Sequence, residues 1–475
     1  MIPVLTKEEA SRLDEDTIES GYLSKQELMD NAGKAIAQFF CEKIDDPFNQ
    51  KVVVVCGKGN NGGDGVISHS YLKRYNIVSK IVFTEKKHTH SRLIKKYKIL
   101  KSDCFIYSDK IQFDKYDWII DGIFGIGLSR DLDNQYQEIF NNINKNKNIL
   151  SIDISSGLFV NNAYSKYFVN SKYVLTFGYP KLSHYLIPHN NLIIPDIGFK
   201  KNIKTKIQLI CKIDILNILK DFVLKSSTHK YSKGYTSISA GSNKYPGAAI
   251  LSCLAAYKSG SSYVNLCFEG DKEIRDNIKI QYPDIVLNQD YPIGDFCLFG
   301  PGYSFGEDDE EIWSRLTGYK SIVCDAAILG KAEDINCFPD NSILTPHVGE
   351  YNKLFNTEDS LALSSFRKIQ NYLNNRIVIL KSFNTFIMTK DMIYIMDKGP
   401  SLLATAGTGD VLSGILVSLL SQGYSRLDAS ILGTYLHAEA ANYYMSNISK
   451  YGMTASDLIS CIPFALNELR KNSVN

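Results

Sequence analysis

The run Lys51-Val-Val-Val-Val-Cys56, which stops abruptly at GKGNNGGDG, limits the possible fold more than any other feature. A continuous β-branched stretch offers no polar face to water. It belongs in a strand covered on both sides, as in a parallel sheet. The same unit recurs downstream. Ser11–Phe40 carries apolar residues three or four apart and predicts a helix, and Val66–Tyr75 predicts another. Lys80–Thr84 reads as a strand, and Lys86–Ser102 as a basic, exposed helix that includes the H-x-H pair His88 and His90. Trp118–Asp121 is a strand ending in GIFGIGLSRD, Asn148–Ile154 one ending in SSG, and Tyr173–Phe177 one more. Apolar strands alternating with Gly loops and helices predict a doubly wound α/β domain with its working loops at strand C-termini.

The rhythm breaks around Pro195–Gly198 and at the basic stretch KKNIKTK, then restarts with TSISAGS and PGAAILSCLAAYKSG. Further strands are expected at Phe296–Phe299, Ile322–Cys324, Ile343–Leu344 and Ile377–Leu380. A chain of 475 residues is too long for one core and suggests roughly two to four domains. We place one boundary near residue 206, giving domains 1–205 and 206–475.

Charge narrows the function. With 53 Lys+Arg against 51 Asp+Glu the chain has a net charge of +2, without the basic excess of a nucleic-acid binder. The ten cysteines stand singly, with neither zinc-ligand spacing nor a disulfide framework, which fits reduced residues in a cytoplasmic protein. The N-terminus turns acidic within a few residues, unlike a signal peptide. The most apolar stretch, Val411–Leu420, is too short to span a membrane.

Three oxygen-rich loops are expected at one sheet edge of the first half. Asn60-Asn61-Gly62-Gly63-Asp64-Gly65 combines close backbone approach with side-chain oxygens before a helix. Asp121 and Asp153 each end an apolar strand. Taken singly, each is also what a tight turn or a helix cap would show. Converging, they suit a polar ligand and a hard cation rather than zinc. The second half carries Leu403-Ala-Thr-Ala-Gly407-Thr408-Gly409-Asp410, running into an apolar helix. Backbone N–H groups there can cradle a phosphoryl oxygen, and Asp410 is placed to take a proton from an attacking hydroxyl. His347 and Lys381 follow strand ends and are candidate contacts for substrate and phosphate.

These residues resemble a known family. LMDNAG (28–33), NNGGDG (60–65), DGIFGIGLSRD (121–131) and SIDISSG (151–157) resemble the NAD(P)H-hydrate epimerase domain, a Rossmann-like fold. AGSNKYPGAA (240–249), FGPG (299–302), LTPHVGE (344–350), LATAGTGDVLSG (403–414) and YGMTASDL (451–458) resemble the ADP-dependent NAD(P)H-hydrate dehydratase domain, a ribokinase-like fold.

The resemblance implies repair of hydrated nicotinamide nucleotides. The R and S hydrates of NADH and NADPH (NADHX and NADPHX) interconvert, and ADP converts the S form back to NAD(P)H with release of AMP and phosphate. It implies hydrate binding by Asn60, Asn61, Gly62, Gly63 and Asp64, and by Gly125, Ile126, Gly127, Leu128, Ser129, Arg130 and Asp131. Asp153 would be the acid/base, and Asn61, Asp121 and Ser156 would be ligands of a potassium ion. In the second half Ala248, Gly302, His347 and Asp410 match hydrate-contacting positions, with Asp410 the base. Lys381, Ser382, Phe383, Asn384, Thr385, Gly407, Thr408 and Gly409 match the nucleotide site, with a magnesium ion accompanying the ADP. The resemblance also implies a homo-oligomer, with small-molecule partners only.

Five positions depart from the family pattern. Ser155 stands for the usual Pro, Ala327 for the second Asp of D-A-D, Ser382 and Phe383 for small residues, and Ala438 for the Gly of H-G. Two other readings remain open: a vitamin-precursor kinase of the same fold, and a non-catalytic nucleotide-binding protein.

Overall fold

The computed structural model describes residues 1–86, 90–162, 165–188, 191–200, 203–220, 234–288, 294–306 and 312–471. The expected position His88 lies outside them. The chain divides into two compact units: Pro3–Thr205 with Leu361–Leu363, and Met1–Ile2 with Lys206–Ser360 and Ser364–Asn475.

In the first unit α1 is Lys7–Glu19, α2 Lys25–Lys43, α3 Asn60–Arg74, α4 Ser91–Lys96, α5 Asn134–Ile143 and α6 Ser183–Leu186. The strands after the two-residue β1 (Ile2–Pro3) are β2 Lys51–Cys56, β3 Val78–Phe83, β4 Cys104–Ile106, β5 Trp118–Gly122, β6 Ile149–Ile152, β7 Tyr173–Leu175 and β8 Asn191–Ile193. They form a seven-stranded sheet in the order β4-β3-β2-β5-β6-β7-β8. Every neighbouring pair is parallel. Val52–Val55 of β2 are buried, as an all-apolar central strand requires. The chain winds one way from β2 to β3 and the other way to β5, so a crevice opens beyond the C-termini of β2 and β5.

Three sequence expectations are corrected here. The single helix over 11–40 is two helices, because Gly21 turns left-handed (φ 70) and the Ser24–Glu27 capping box restarts the backbone. Among the described residues of 86–102 the basic helix is only α4, which Lys98 (φ 54) helps to end. His90 is buried, not exposed: it stacks on Phe83, and its Nε2 lies 2.8 Å from the Gly57 carbonyl.

The second unit holds α7 Lys212–Lys220, α8 Pro246–Lys258, α9 Lys272–Gln281, α10 Ile312–Arg315, α11 Ala327–Lys331 and α12 Val348–Phe355. Beyond α13 (Leu363–Gln370) come α14 Thr408–Ser421, α15 Arg426–Asn447 and α16 Ala455–Lys471. Its strands are β9 Ile207–Leu209, β10 Tyr235–Ser239, β11 Tyr263–Cys267, β12 Val286–Asn288, β13 Phe296–Phe299 and β14 Ser321–Cys324. β15 Ser342–Leu344, β16 Ile377–Lys381, β17 Thr385–Met388 and β18 Ile393–Met396 complete them. The sheet order is β1-β9-β18-β17-β16-β15-β14-β13-β10-β11-β12. From β12 to β16 the pairs are parallel, while β17 is antiparallel to both β16 and β18. The order reverses at β10, so the loops after β10 and β13 again flank a switch point.

The apolar stretch 411–420 is the buried heart of α14. Gly414 lets α8 approach, since a Cβ there would sit 2.3 Å from the Ser252 carbonyl. Among the described residues no helix is long and apolar enough to cross a membrane. The ten cysteines are free thiols.

Candidate active sites

The crevice of the first unit is a cavity of about 700 Å³. Asn60, Asn61, Asp64, Gly125, Ile126, Gly127, Leu128, Ser129, Arg130 and Asp153 all line it, so residues from all three loops meet there, although Asp121 itself is fully buried and outside the lining. NNGGDG is not a free loop, however. Gly59 is the N-cap, and these residues are the first turns of α3. Gly62 and Gly63 are buried beneath the cavity, and a Cβ on Gly62 would meet the Gly57 carbonyl at 1.9 Å. Asp131 is exposed and lies outside the lining.

The three expected cation ligands meet at the end of β5. Asp121 is fully buried. It accepts from Ser156 Oγ (2.6 Å), Ser151 Oγ (2.7 Å), the Ser156 N–H (2.9 Å) and the Ile123 N–H (3.2 Å). Asn61 Nδ2 donates to the Phe124 carbonyl (2.9 Å), and the Phe124 N–H donates to Ser156 Oγ (2.8 Å). Burial pushes the Asp121 carboxyl up, and the hydrogen bonds from Ser156 and Ser151 pull it back. Ser155 uses its hydroxyl in the same layer, 2.9 Å from Ser171 Oγ. That partner gives this serine a local role of its own in the turn after Asp153.

Asp153 sits just past β6 in the left-handed region (φ 64), a conformation uncommon outside glycine. Its Oδ1 accepts from Lys181 Nζ (2.6 Å) and Thr176 Oγ1 (3.0 Å), and its carbonyl meets His184 Nε2 (3.0 Å). Lys181 is itself buried, and Nζ also donates to Thr176 Oγ1 (2.8 Å) and the Phe177 carbonyl (2.9 Å). The ammonium is therefore saturated, and it fixes one carboxylate oxygen of Asp153.

Besides Asp153, the carboxylates Asp14, Glu15 and Asp64 line this cavity. Asp64 is held well above the usual carboxylate range, first by burial and then by the charges of Asp153 and Asp14. Asp14, on α1, is pushed up to about 6 by burial and then by Asp153, against the opposing pull of Lys181 and Lys25. Asp14, Lys25 and Lys181 were not singled out from the sequence. Asp14 had a signal: it lies on the inward stripe Ala10–Leu13–Thr17 of an otherwise acidic helix. Lys181 follows a strand-and-turn segment, YVLTFGYP, much as Asp153 follows its strand.

The second site forms where α14 begins. Gly407 is left-handed (φ 87), and Thr408 Oγ1 donates to the Leu403 and Thr405 carbonyls (both 2.8 Å), which shapes the turn. His437, neutral because burial lowers its pKa to about 4, donates from Nε2 to the Thr408 carbonyl (2.8 Å). Asp410 stands in the first helical turn. Burial, then the charge of Asp325, raises it to about 7, with Lys381 opposing.

Asp325, at the end of β14, is buried and accepts from Lys381 Nζ (2.8 Å) and Ser413 Oγ (2.5 Å). A Cβ on Gly409 would lie 3.4 Å from Lys381 Nζ and 3.9 Å from Asp325 Oδ2, so the strand-end pair abuts the helix start. Gly300 (φ 116) lets the loop after β13 press against Asp325, whose carbonyl a Cβ would meet at 2.2 Å. Sequence reasoning noticed Asp325 only through its neighbour Ala327.

The remaining expected positions fall around this centre in two groups. Ala248 and Gly302 touch, since a Cβ on Gly302 (φ 63) would reach Ala248 Cβ at 2.7 Å. His347 is the N-cap of α12; its Nδ1 accepts from the Gly349 N–H (3.0 Å) and its ring is exposed. It is bridged to Lys381. Glu350, raised by burial, faces Lys381 and Asp325. Lys381–Thr385 is the tight hairpin joining β16 to β17, closed by Ser382 Oγ donating to the Asn384 carbonyl (2.5 Å), with Phe383 exposed at its tip.

Comparison with known proteins covers both units. A family described as YjeF-related protein N-terminus matches residues 25–183, and one described as NAD(P)H-hydrate dehydratase matches residues 236–464. The chain is 30% identical over 523 residues to a protein of Dictyoglomus turgidum named bifunctional NAD(P)H-hydrate repair enzyme Nnr, spanning 99% of this chain and 100% of that one. It is 26% identical to the Escherichia coli protein of the same name, over 94% of this chain and 90% of that one. Among solved structures, a hypothetical protein of Streptococcus mutans shares the fold with TM-score 0.50 at 20% identity, covering 55% of this chain and 99% of that chain.

Proposed function

The chain belongs to the family of bifunctional NAD(P)H-hydrate repair enzymes, and from that premise we propose how its two units divide the work. Residues 1–205 interconvert the R and S hydrates of NADH and NADPH. Residues 206–475 dehydrate the S form at the expense of ADP, yielding NAD(P)H, AMP and phosphate. The observation that carries this reading is Asp410, a carboxylate raised to about 7 in the first turn of a helix whose N–H groups follow a glycine turn. A base poised near neutrality beside an anion cradle is what transfer of a phosphoryl group to a hydroxyl requires.

Asp410 takes the proton of the hydrate hydroxyl as that oxygen attacks the β-phosphorus of ADP, and AMP departs. The lone pair of the ring nitrogen then expels the new phosphate. Loss of a proton from the neighbouring ring carbon restores the dihydropyridine. The N–H groups of Gly407–Gly409 steady the transferring oxygens, and Lys381 with the 382–385 hairpin meets the nucleotide. In the first unit Asp153 exchanges protons with the hydrate, held by Lys181 and Thr176.

Potassium fits the first site. Asp121 is a buried carboxylate that no lysine or arginine pairs with among the described residues, and Asn61, Ser156 and the Phe124 carbonyl add oxygen donors around it. Such an ion would supply a counter-charge and fix the 124–130 loop. Magnesium fits the second site only as an ion shared with the nucleotide phosphates. Among the described residues no three or more His, Cys, Asp and Glu side chains gather to hold a metal. The carboxylates available to it are Asp325 and Glu350. Free, singly spaced thiols suit a reducing cytoplasm. Self-association is expected from the family and is read by sedimentation.

The test is product analysis with pure S hydrate and ADP. Stoichiometric NADH, AMP and phosphate support the reading. A stable phosphorylated product would instead make the second unit a kinase, and nucleotide binding without turnover would make it a binding module.

A further inference from the structure

We infer that Asp14 is the second acid–base residue of the first site, giving its proton to the departing hydroxyl while Asp153 receives one from the water that adds. This rests on the epimerase reading above and deepens it. The R and S hydrates differ only at the ring carbon that carries the hydroxyl and is bonded to the ring nitrogen. Inverting that carbon by exchange of its hydroxyl needs two proton transfers, one to the leaving oxygen and one from the entering water. A single carboxylate in one protonation state does one of these. The problem is that of inverting sugar hydrolysis, where one carboxyl is the acid and a second is the base.

The cavity supplies such a pair. Asp153 enters from the loop after β6 and is tied on Oδ1 to the ammonium of Lys181, which leaves Oδ2 without a lysine partner among the described residues. Asp14 enters from α1, a different element, and lines the same 700 Å³ space. α1 is set in place by its Thr6–Glu9 capping box and by Leu5, Ala10 and Leu13 packing on Ile126, Tyr179 and Phe199. No lysine or arginine pairs with Asp14 among the described salt bridges. The charged groups it faces are Asp153, Lys181, Lys25 and Glu15, with Asp153 and its own burial weighing most. Asp64, in α3, is another carboxylate of the cavity and feels both Asp153 and Asp14. Burial raises it first, and its place in the first turns of α3 suits a fixed hydrogen-bond partner for substrate.

The step balances without a cofactor. Asp14 gives a proton to the hydroxyl oxygen, the carbon–oxygen bond breaks with its electron pair leaving on water, and the nitrogen lone pair forms a carbon–nitrogen double bond. Water then adds to the opposite face, its proton passes to Asp153, and exchange with solvent returns a proton to Asp14 and removes one from Asp153 before the next turnover. The reverse reaction runs with the two carboxyls exchanged.

The test follows R hydrate with the full chain in heavy-oxygen water without ADP, and separately follows S hydrate with ADP. Wild-type protein is expected to epimerise with heavy oxygen entering the hydroxyl at the same rate, and to lose rate as pH rises through about 6, where Asp14 deprotonates. Asp14→Asn is expected to slow epimerisation about a hundredfold or more and to lose that alkaline fall, while dehydration of S hydrate is unchanged. Asp14→Glu is expected to recover part of the rate. Epimerisation by Asp14→Asn at more than half the wild-type rate, or retention of light oxygen by wild type, overturns the proposal while the epimerase reading stands. If Asp14→Asn also loses dehydration, failure of Asp14→Glu to recover any epimerisation overturns it. Absence of epimerisation in wild type that still dehydrates S hydrate overturns the epimerase reading itself.

Discussion

The two sites are built from the same three parts used differently. Each has a strand-end aspartate paired to a lysine, Asp153 with Lys181 at 2.6 Å and Asp325 with Lys381 at 2.8 Å. Each sets beside that pair a second carboxylate that burial and the paired aspartate push upward, Asp14 to about 6 and Asp410 to about 7. The lysines differ. Lys181 has 5% of its side chain exposed and spends its ammonium on Asp153, Thr176 and the Phe177 carbonyl. Lys381 has 23% exposed and stands against the helix start of α14. One is a fixed brace, and the other is a charge that an incoming phosphate can meet. The contrast matches the proposed chemistries: proton exchange at a ring in one site, phosphoryl transfer in the other.

The largest expected effect breaks the pattern at its reactive end. Asp410→Asn should lower dehydration by about a thousandfold, within the range general bases contribute, and leave epimerisation untouched. Activity assays on each epimer separately check this. Next come the two lysines. Lys181→Met leaves Asp153 in a largely buried place without its cation, a loss of about 3–5 kcal/mol. Native-state hydrogen exchange in β6 and β7 should register it. Lys381→Met should cost less stability, because water reaches the more exposed lysine position beside Asp325, yet it should weaken ADP binding. Equal destabilisation by both variants would erase the distinction between brace and ligand.

pH separates the sites more gently. Asp410 must be ionised to act, and its pKa is raised, so dehydration should climb about tenfold per unit up to about pH 7 and then level. Raised pKa values also mean that Asp14 and Asp410 stabilise their units more when protonated. That contribution fades as pH passes from their ordinary values near 4 up through about 6 and about 7. The smallest effect is expected for Ser155→Ala, which removes the bond to Ser171 at a cost of about 1 kcal/mol and changes epimerisation little. Thermal unfolding reads it.

Much of this was legible in the sequence for physical reasons. Val52–Val55 announce a doubly covered strand, and the Gly-rich segments after β2, β5 and β13 mark where the backbone must approach closely. Position after a strand picked out Asp121, Asp153 and Lys381, and the GTG turn before an apolar run picked out Asp410. What stayed hidden depends on contacts distant in the chain. Asp14 looks like one more acid on an acidic helix until α1 folds over the cavity. His90 looks exposed among lysines until its ring meets Phe83 and Gly57. Asp325 becomes part of a site only when β14 and β16 lie near α14. The helix break at Gly21 was a local signal that the apolar spacing on either side concealed.

The most direct test of the central claim, that one chain carries both repair steps, is recovery of the dihydronicotinamide absorbance. The purified full chain is given mixed R and S NADH hydrate, ADP and magnesium. The account predicts complete recovery of the band from both epimers, faster than spontaneous epimerisation allows. Recovery that stops at the S fraction, or none with either ADP or ATP, would contradict it.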